Sequence, residues 1–166
     1  MNLFREEKLL YKGFASNLSK QEITNLFQTD FEGSKDFLEL YSVFDGVDFM
    51  REAKMFRSKF YEISKGELDL INISFFLKMK DIIIEKEYVR YESEEYQFFI
   101  NTHIPFADDG SGNTIWLDTN TGLVKRFDHE EDFEEAIIIV APNFKEFCLS
   151  LEDYDPNWIK PIYDNE

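Results

Sequence analysis

The chain has 166 residues, 34 of them Asp or Glu and 18 Lys or Arg, for a formal charge of −16. That balance argues against binding to nucleic acid or an anionic membrane, whose phosphates need a basic face, and it favours basic protein partners. Hydrophobic content of 43% with 18 Phe predicts one domain built around a ring-rich core. The single Cys excludes an internal disulfide and suits a reducing compartment. Met1–Lys8 lacks the basic start and apolar run of a signal peptide, and no apolar stretch reaches membrane-spanning length. A cytoplasmic protein is expected: a single domain over 1–166, with its core at about 19–152 and an acidic tail over 153–166.

In chain order, residues 2–11 are expected to form a short helix with Leu3, Phe4, Leu9 and Leu10 apolar. Ser19 and Glu22 fit a capping box, with Ile23, Leu26 and Phe27 on one face of the helix that follows. A second helix starts at Ser34, carries Phe37, Leu38, Leu40, Tyr41 and Phe44, and stops at Gly46. Ala53–Arg57 and Phe60–Ile63 suggest two short strands. For residues 67–89 a helical stripe (Leu68, Ile71, Phe75, Met79, Ile82, Ile83) is preferred, although Ile82–Ile84 and Tyr88-Val89 also suit strands. Gln97–Asn101 reads as a strand.

Thr114–Asp118 and Leu123–Asp128 flank Asn120-Thr121-Gly122, a three-residue hairpin loop with Gly in the left-handed position. This register sets Ile115 opposite Phe127, Leu117 opposite Lys125, Trp116 opposite Arg126 and Asp118 opposite Val124. Ile115, Leu117, Leu123 and Phe127 then face the core. Trp116 and Arg126 stack outward or lie under a covering segment. Lys125 must reach the rim. Ala136–Val140 is apolar throughout, as a strand covered on both faces is. Pro142 opens a last helix whose Phe144, Phe147, Cys148 and Leu151 make one buried stripe. The tail from Asp153 drapes over the surface, pinned by Trp158.

The run Ile104-Pro105-Phe106-Ala107-Asp108-Asp109-Gly110-Ser111-Gly112-Asn113, followed by Trp116-Leu117-Asp118 and Gly122-Leu123-Val124, resembles the central motif of the SUKH superfamily. That superfamily includes fungal cell-wall regulators of the Smi/Knr type and bacterial immunity proteins that neutralise polymorphic or contact-dependent toxins. The helix at Phe37–Gly46 and the strand and helix at Ile137–Leu151 resemble its outer elements. The resemblance implies an α+β fold, a mixed and mostly antiparallel sheet with helices packed around it. It also implies a non-catalytic module that binds proteins, with 104–113 as a structured loop framing a cleft.

The chemistry-bearing residues are few. Asp108–Asn113 lacks the D-x-D-x-D-G order and distal Glu of a calcium loop, so Asp108, Asp109 and Asn113 are read as bonding the loop's own amides. His103 and His129, the two histidines, have no metal-ligand spacing, and no metal or other cofactor is expected. Cys148 belongs to the core stripe, and Gly110-Ser111-Gly112 is not a nucleophile elbow. Asp128–Glu135 carries six acidic residues in eight positions, a candidate landing site for a basic partner, with Glu92, Glu94 and Glu95 as a second patch. The candidate partner-binding residues are Trp116, Arg126, Asp108, Asp109, Tyr96, Glu130, Glu131, Asp132, Phe133 and Glu134. The leading expectation is an immunity protein, monomeric or weakly dimeric, that blocks a cognate basic toxin. A regulatory scaffold is the alternative, and a hydrolase using His103, Asp108 and Asp109 is the rival from another class.

Overall fold

The computed structural model describes residues 3–5, 8–90 and 94–153. Among the described residues of the span 2–11 there is no helix. Leu3, Phe4 and Leu9 enter the core as irregular chain, and strand β1 (Tyr11–Ala15) follows. The capping box forms as expected at α1 (Lys20–Thr24): Ser19 Oγ accepts from the Glu22 amide at 3.1 Å, and Glu22 Oε1 accepts from the Ser19 amide at 3.3 Å. Helix α2 (Ser34–Val43) buries Phe37, Leu40 and Tyr41. It ends at Val43 rather than Gly46, because the chain turns directly into the 13-residue strand β2 (Phe44–Phe56). Gly46 sits inside that strand with φ 92°, and a Cβ there would lie 2.8 Å from Lys78 Cγ and 3.2 Å from the Phe76 carbonyl. Glycine serves a close approach at this point, not a helix stop.

Ala53–Phe56 is the far end of β2, and Arg57–Lys59 is a 3-10 turn. Phe60–Ile63 forms no strand. The expected long helix over 67–89 divides into strand β3 (Leu70–Phe76) and helix α3 (Met79–Arg90). Asp45 Oδ1 receives the Met79 amide at 2.7 Å and fixes where α3 begins. Gln97–Asn101 lies within helix α4 (Glu94–Thr102), not in a strand. Strands β4 (His103–Asp108), β5 (Thr114–Asp118), β6 (Val124–Phe127) and β7 (Ile137–Ala141) follow, with α5 (Phe133–Ala136) between the last two. Helix α6 (Phe144–Ser150) and the two-residue β8 (Glu152–Asp153) close the described chain.

The fold is α+β. The sheet runs β1-β2-β3-β4-β5-β6-β7 with β8 on β2, and every pairing among the described residues is antiparallel. Apolar residues gather on both faces. The larger cluster joins α2 and α6 to the sheet through rings such as Phe37, Phe76, Phe106, Phe144 and Phe147. The smaller one holds Val89, Phe99, Ile100, Trp116, Phe127 and Ala136 under α3 and α4. The tight α6 stripe of Phe144, Phe147, Cys148 and Leu151 is fully buried, as expected. Its cap is Asn143, whose Oδ1 accepts from the Glu146 amide at 2.8 Å, so Pro142 precedes the cap instead of opening the helix.

The central hairpin forms one residue out of the expected register. Ile115 pairs with Arg126, Trp116 with Lys125, Leu117 with Val124 and Thr114 with Phe127. Asp118 causes the slip: its Oδ1 accepts the amides of Asn120 and Thr121, and its own amide donates to the Leu123 carbonyl at 2.9 Å, leaving the four-residue link 119–122. A one-residue slip moves side chains to the other face. Phe127 therefore joins Trp116 beneath α4, and Lys125 leaves the core face to reach Asp118 and His103.

Strand β7 is covered only in part. Ile137 packs on the smaller cluster and Ile138 and Val140 on the larger, while Ile139 is 38% exposed on a strand at the end of the sheet order. Asp153 belongs to β8, not to a surface tail: it is buried, pairs with Ala53, and accepts the Leu10 amide at 3.1 Å. Residues 154–166, including Trp158, lie outside the described residues.

Candidate functional site

Strand β4 delivers the loop 108–113. Asp109 organises it: Oδ1 accepts from the Ser111 amide at 2.8 Å, the Ser111 hydroxyl at 2.8 Å and the Asn113 amide at 3.2 Å, and Oδ2 accepts from Asn113 Nδ2 at 2.8 Å. Burial works against its charge, but these donors prevail and hold the carboxyl below its ordinary range. Arg126 stands beside it, 3.9 Å from Asp109 Oδ2 and 3.5 Å from Asp128 Oδ2. Asn113 Oδ1 in turn receives His129 through both its amide (3.3 Å) and Nδ1 (2.8 Å). The His129 ring lies against Gly112 at φ 101°, where a Cβ would come within 3.1 Å of Cε1.

Between this loop and helices α3 and α4 is a cleft of about 280 Å³ lined by Glu85, Tyr88, Val89, Tyr96, Asp108, Gly112, Phe127 and His129. Its apolar members include the buried Val89 and Phe127, and Tyr88 is 68% exposed. Tyr96 stacks edge-on against Phe127 at 5.3 Å and Phe133 at 5.0 Å. Two carboxylates line it from different elements, Glu85 from α3 and Asp108 from the end of β4. Burial, reinforced by Asp108, pushes the Glu85 carboxyl up. Burial likewise raises Asp108 against the Gly110 amide that it accepts, with Asp109 adding to the rise. Among the residues lining the cleft there is no Lys or Arg.

A second, shallower hollow of about 550 Å³ shares Tyr96 and His129 with the cleft, and adds Glu95, Glu131, Asp132, Phe133, Glu134 and Glu135. The acidic run and the loop are thus parts of one concave surface. Tyr96, Asp108, Glu131, Asp132, Phe133 and Glu134 all line it, and Glu130 stands exposed beside it, 3.9 Å from His129 Nε2.

A different cluster occupies the other end of β4. His103 stacks on Phe99 with centroids 3.9 Å apart, its Nδ1 faces the Phe99 carbonyl at 2.9 Å, and its Nε2 lies 3.0 Å from Lys125 Nζ. Lys125 also donates to Asp118 Oδ2 at 3.0 Å. Burial, then the Lys125 ammonium, lowers the His103 pKa to about 4, so the ring is neutral: Nδ1–H donates to Phe99, and Nε2 accepts from Lys125. Asp118 stays below its ordinary range despite burial, through the Asn120 amide and Lys125.

The family model described as SMI1/KNR4 family (SUKH-1) matches residues 21–150. The chain belongs to the SMI1/KNR4 (SUKH-1) family. No curated protein sequence matches it closely enough to stand as a named relative. Membership supports a non-catalytic SUKH-type module and agrees with the α+β sheet. Among the described residues of this SUKH-1 chain, no helix is long and apolar enough to cross a membrane, and no group of three or more His, Cys, Asp or Glu could hold a metal ion.

Three candidates fall away from the SUKH-1 concave surface. Trp116 is fully buried against Phe99, its Nε1 donating to Thr114 Oγ1 at 2.7 Å, so it holds α4 on the sheet and cannot anchor a partner. Arg126 and Asp109 spend their charge on each other and on the loop. The hydrolase set does not assemble: five residues of strand, roughly 16 Å, separate His103 from Asp108. Glu92 lies outside the described residues. Glu85, Tyr88 and Val89 line the cleft, and the sequence does not single them out as site candidates. Their signal is a shared helix face, at i, i+3 and i+4, on a segment where nothing in the sequence connects α3 to the loop.

Proposed function

We propose that this SUKH-1 chain is a non-enzymatic immunity protein of the cytoplasm, a monomer or weak dimer that binds a basic toxin domain and blocks its active site or substrate channel. One observation carries the reading. The acidic run and the motif loop converge on a single concave surface whose lining carries seven carboxylates (Glu85, Glu95, Asp108, Glu131, Asp132, Glu134, Glu135) and no Lys or Arg. Such a surface attracts a cationic protein and speeds its encounter, with the exposed carboxylates acting mainly on the on-rate. The aromatic side chains that line it, Tyr88, Tyr96 and Phe133, supply contact area that charge alone does not.

The test is co-expression with the product of the gene immediately upstream. Protection of the cells and a stable complex, weakened when Glu131, Asp132, Glu134 and Glu135 are changed to their amides, is the expected result. Association should slow as ionic strength rises through the screening range. Unprotected cells with no complex would refute the immunity role. An endogenous enzyme partner in place of a toxin would move the protein to the regulatory scaffolds.

A further inference from the structure

We propose that the cleft between α3, α4 and the 108–113 loop is a receptor for one arginine side chain of the partner protein, held between Glu85 and Asp108 and against the rings of Tyr88 and Tyr96. This rests on the protein-binding reading above and specifies its central contact. The cavity has room for a long side chain, about 280 Å³, and its floor is apolar at Val89 and Phe127. Its two carboxylates come from different elements, so a planar fork with donors on both edges can reach both, which a single ammonium point charge does less well. Aromatic rings beside the anionic groups suit a weakly hydrated organic cation. No cation from the chain itself fills this role among the described residues: no Lys or Arg lines the cleft, and Arg126 is directed to Asp109 and Asp128. The residues with ionisable side chains that line the pocket are Glu85, Asp108, Tyr88, Tyr96 and His129. The two carboxyls are both raised by burial, with charge from Asp108 and Asp109 adding to it, so each is ready to gain from an incoming positive charge.

The probe is N-acetyl-argininamide, titrated into the full chain and followed by backbone amide NMR. N-acetyl-lysinamide and the uncharged citrulline analogue serve as comparisons. The expected result is saturable shifts centred on Tyr88, Val89, Tyr96 and Gly112, weaker binding of the lysine probe and none of the citrulline probe. A Glu85→Gln/Asp108→Asn variant, with its fold checked by the same spectrum, should bind at least about tenfold more weakly, the loss of one charge-assisted contact or more. Changing Glu131, Asp132, Glu134 and Glu135 to amides should leave probe binding at the cleft intact. Shifts scattered over all acidic segments, or equal binding by the Glu85→Gln/Asp108→Asn variant, would overturn the proposal. Protection of cells that survives Glu85→Gln/Asp108→Asn unchanged would overturn it too while leaving the immunity function standing. Loss of protection only in the acidic-run variant would likewise put the central contact outside the cleft and keep the immunity function.

Discussion

The buried His103 allows a sharp test of the fold's electrostatics. Its folded pKa of about 4 lies below the ordinary 6.5, through burial first and Lys125 second. A histidine shifted in this direction stays neutral in the folded chain while the unfolded chain takes up a proton. Stability is therefore present above the unfolded value and lost as pH falls from it toward the folded value. The interval is about two and a half units, a ceiling of about 3 kcal/mol, of which about 2 kcal/mol is lost by roughly pH 5. For a chain of this length that is a fall of roughly 4–8 °C in Tm. Contributions that do not involve His103 must be subtracted, so the quantity to measure is the stability gap between the native chain and His103→Asn. Urea unfolding should show that gap closing by about 2 kcal/mol between about pH 7.5 and about pH 5. In Lys125→Met the nearest charge left to His103 is Asp118, 3.6 Å from Nε2, so the imidazole midpoint should rise and the acid loss shrink. A constant gap, or an imidazole resonance titrating at or above its ordinary value in the native chain, would refute the neutral-ring assignment.

Trp116→Ala removes the largest side chain of the smaller cluster and should cost about 3–5 kcal/mol in denaturant unfolding, with amide protection lost first in α4. Glu85→Gln with Asp108→Asn should raise Tm at neutral pH, because both carboxyls are pushed up in the folded chain and their ionised forms are penalised there. A fall in Tm would mean that their present neighbours stabilise the charge. Gly112→Ala meets both a positive φ and the His129 ring, and should cost on the order of 1–3 kcal/mol while displacing the His129 resonances.

The features legible in the sequence are those fixed by neighbours in the chain. The Ser19–Glu22 box, the α6 stripe and the self-bonded turn of Asp108, Asp109 and Asn113 each depend on groups close to one another along the chain. The hairpin is visible there, but its register is not. Thr114–Asp118 is buried on both faces, so alternation cannot choose between two pairings, and the Asp118 turn bonds decide. Helix α4 reads as a strand because Gln97–Asn101 is a short apolar run. Tyr96, Phe99 and Ile100 do fall at i, i+3 and i+4, the spacing of a helix lying on the sheet. The cleft is the least accessible part, since it needs α3, α4 and the loop brought together by the sheet.

The carboxylates divide by the direction in which their surroundings push them. Asp109 and Asp118 have amides and cations of their own chain close by, and both are held below their ordinary range. They organise the loop and the hairpin. Glu85 and Asp108 are pushed the other way. A raised carboxyl is not sufficient evidence of a site, because Asp153 is raised as well, yet it receives the Leu10 amide and ties β8 to the N-terminal segment. The distinction lies in the surroundings. Asp153 is enclosed by its own chain, whereas Glu85 and Asp108 face an open cavity that is continuous, through Tyr96 and His129, with five more acidic residues. This cavity is lined by two raised carboxyls and no Lys or Arg, and the proposed partner arginine would supply the positive charge that its lining lacks.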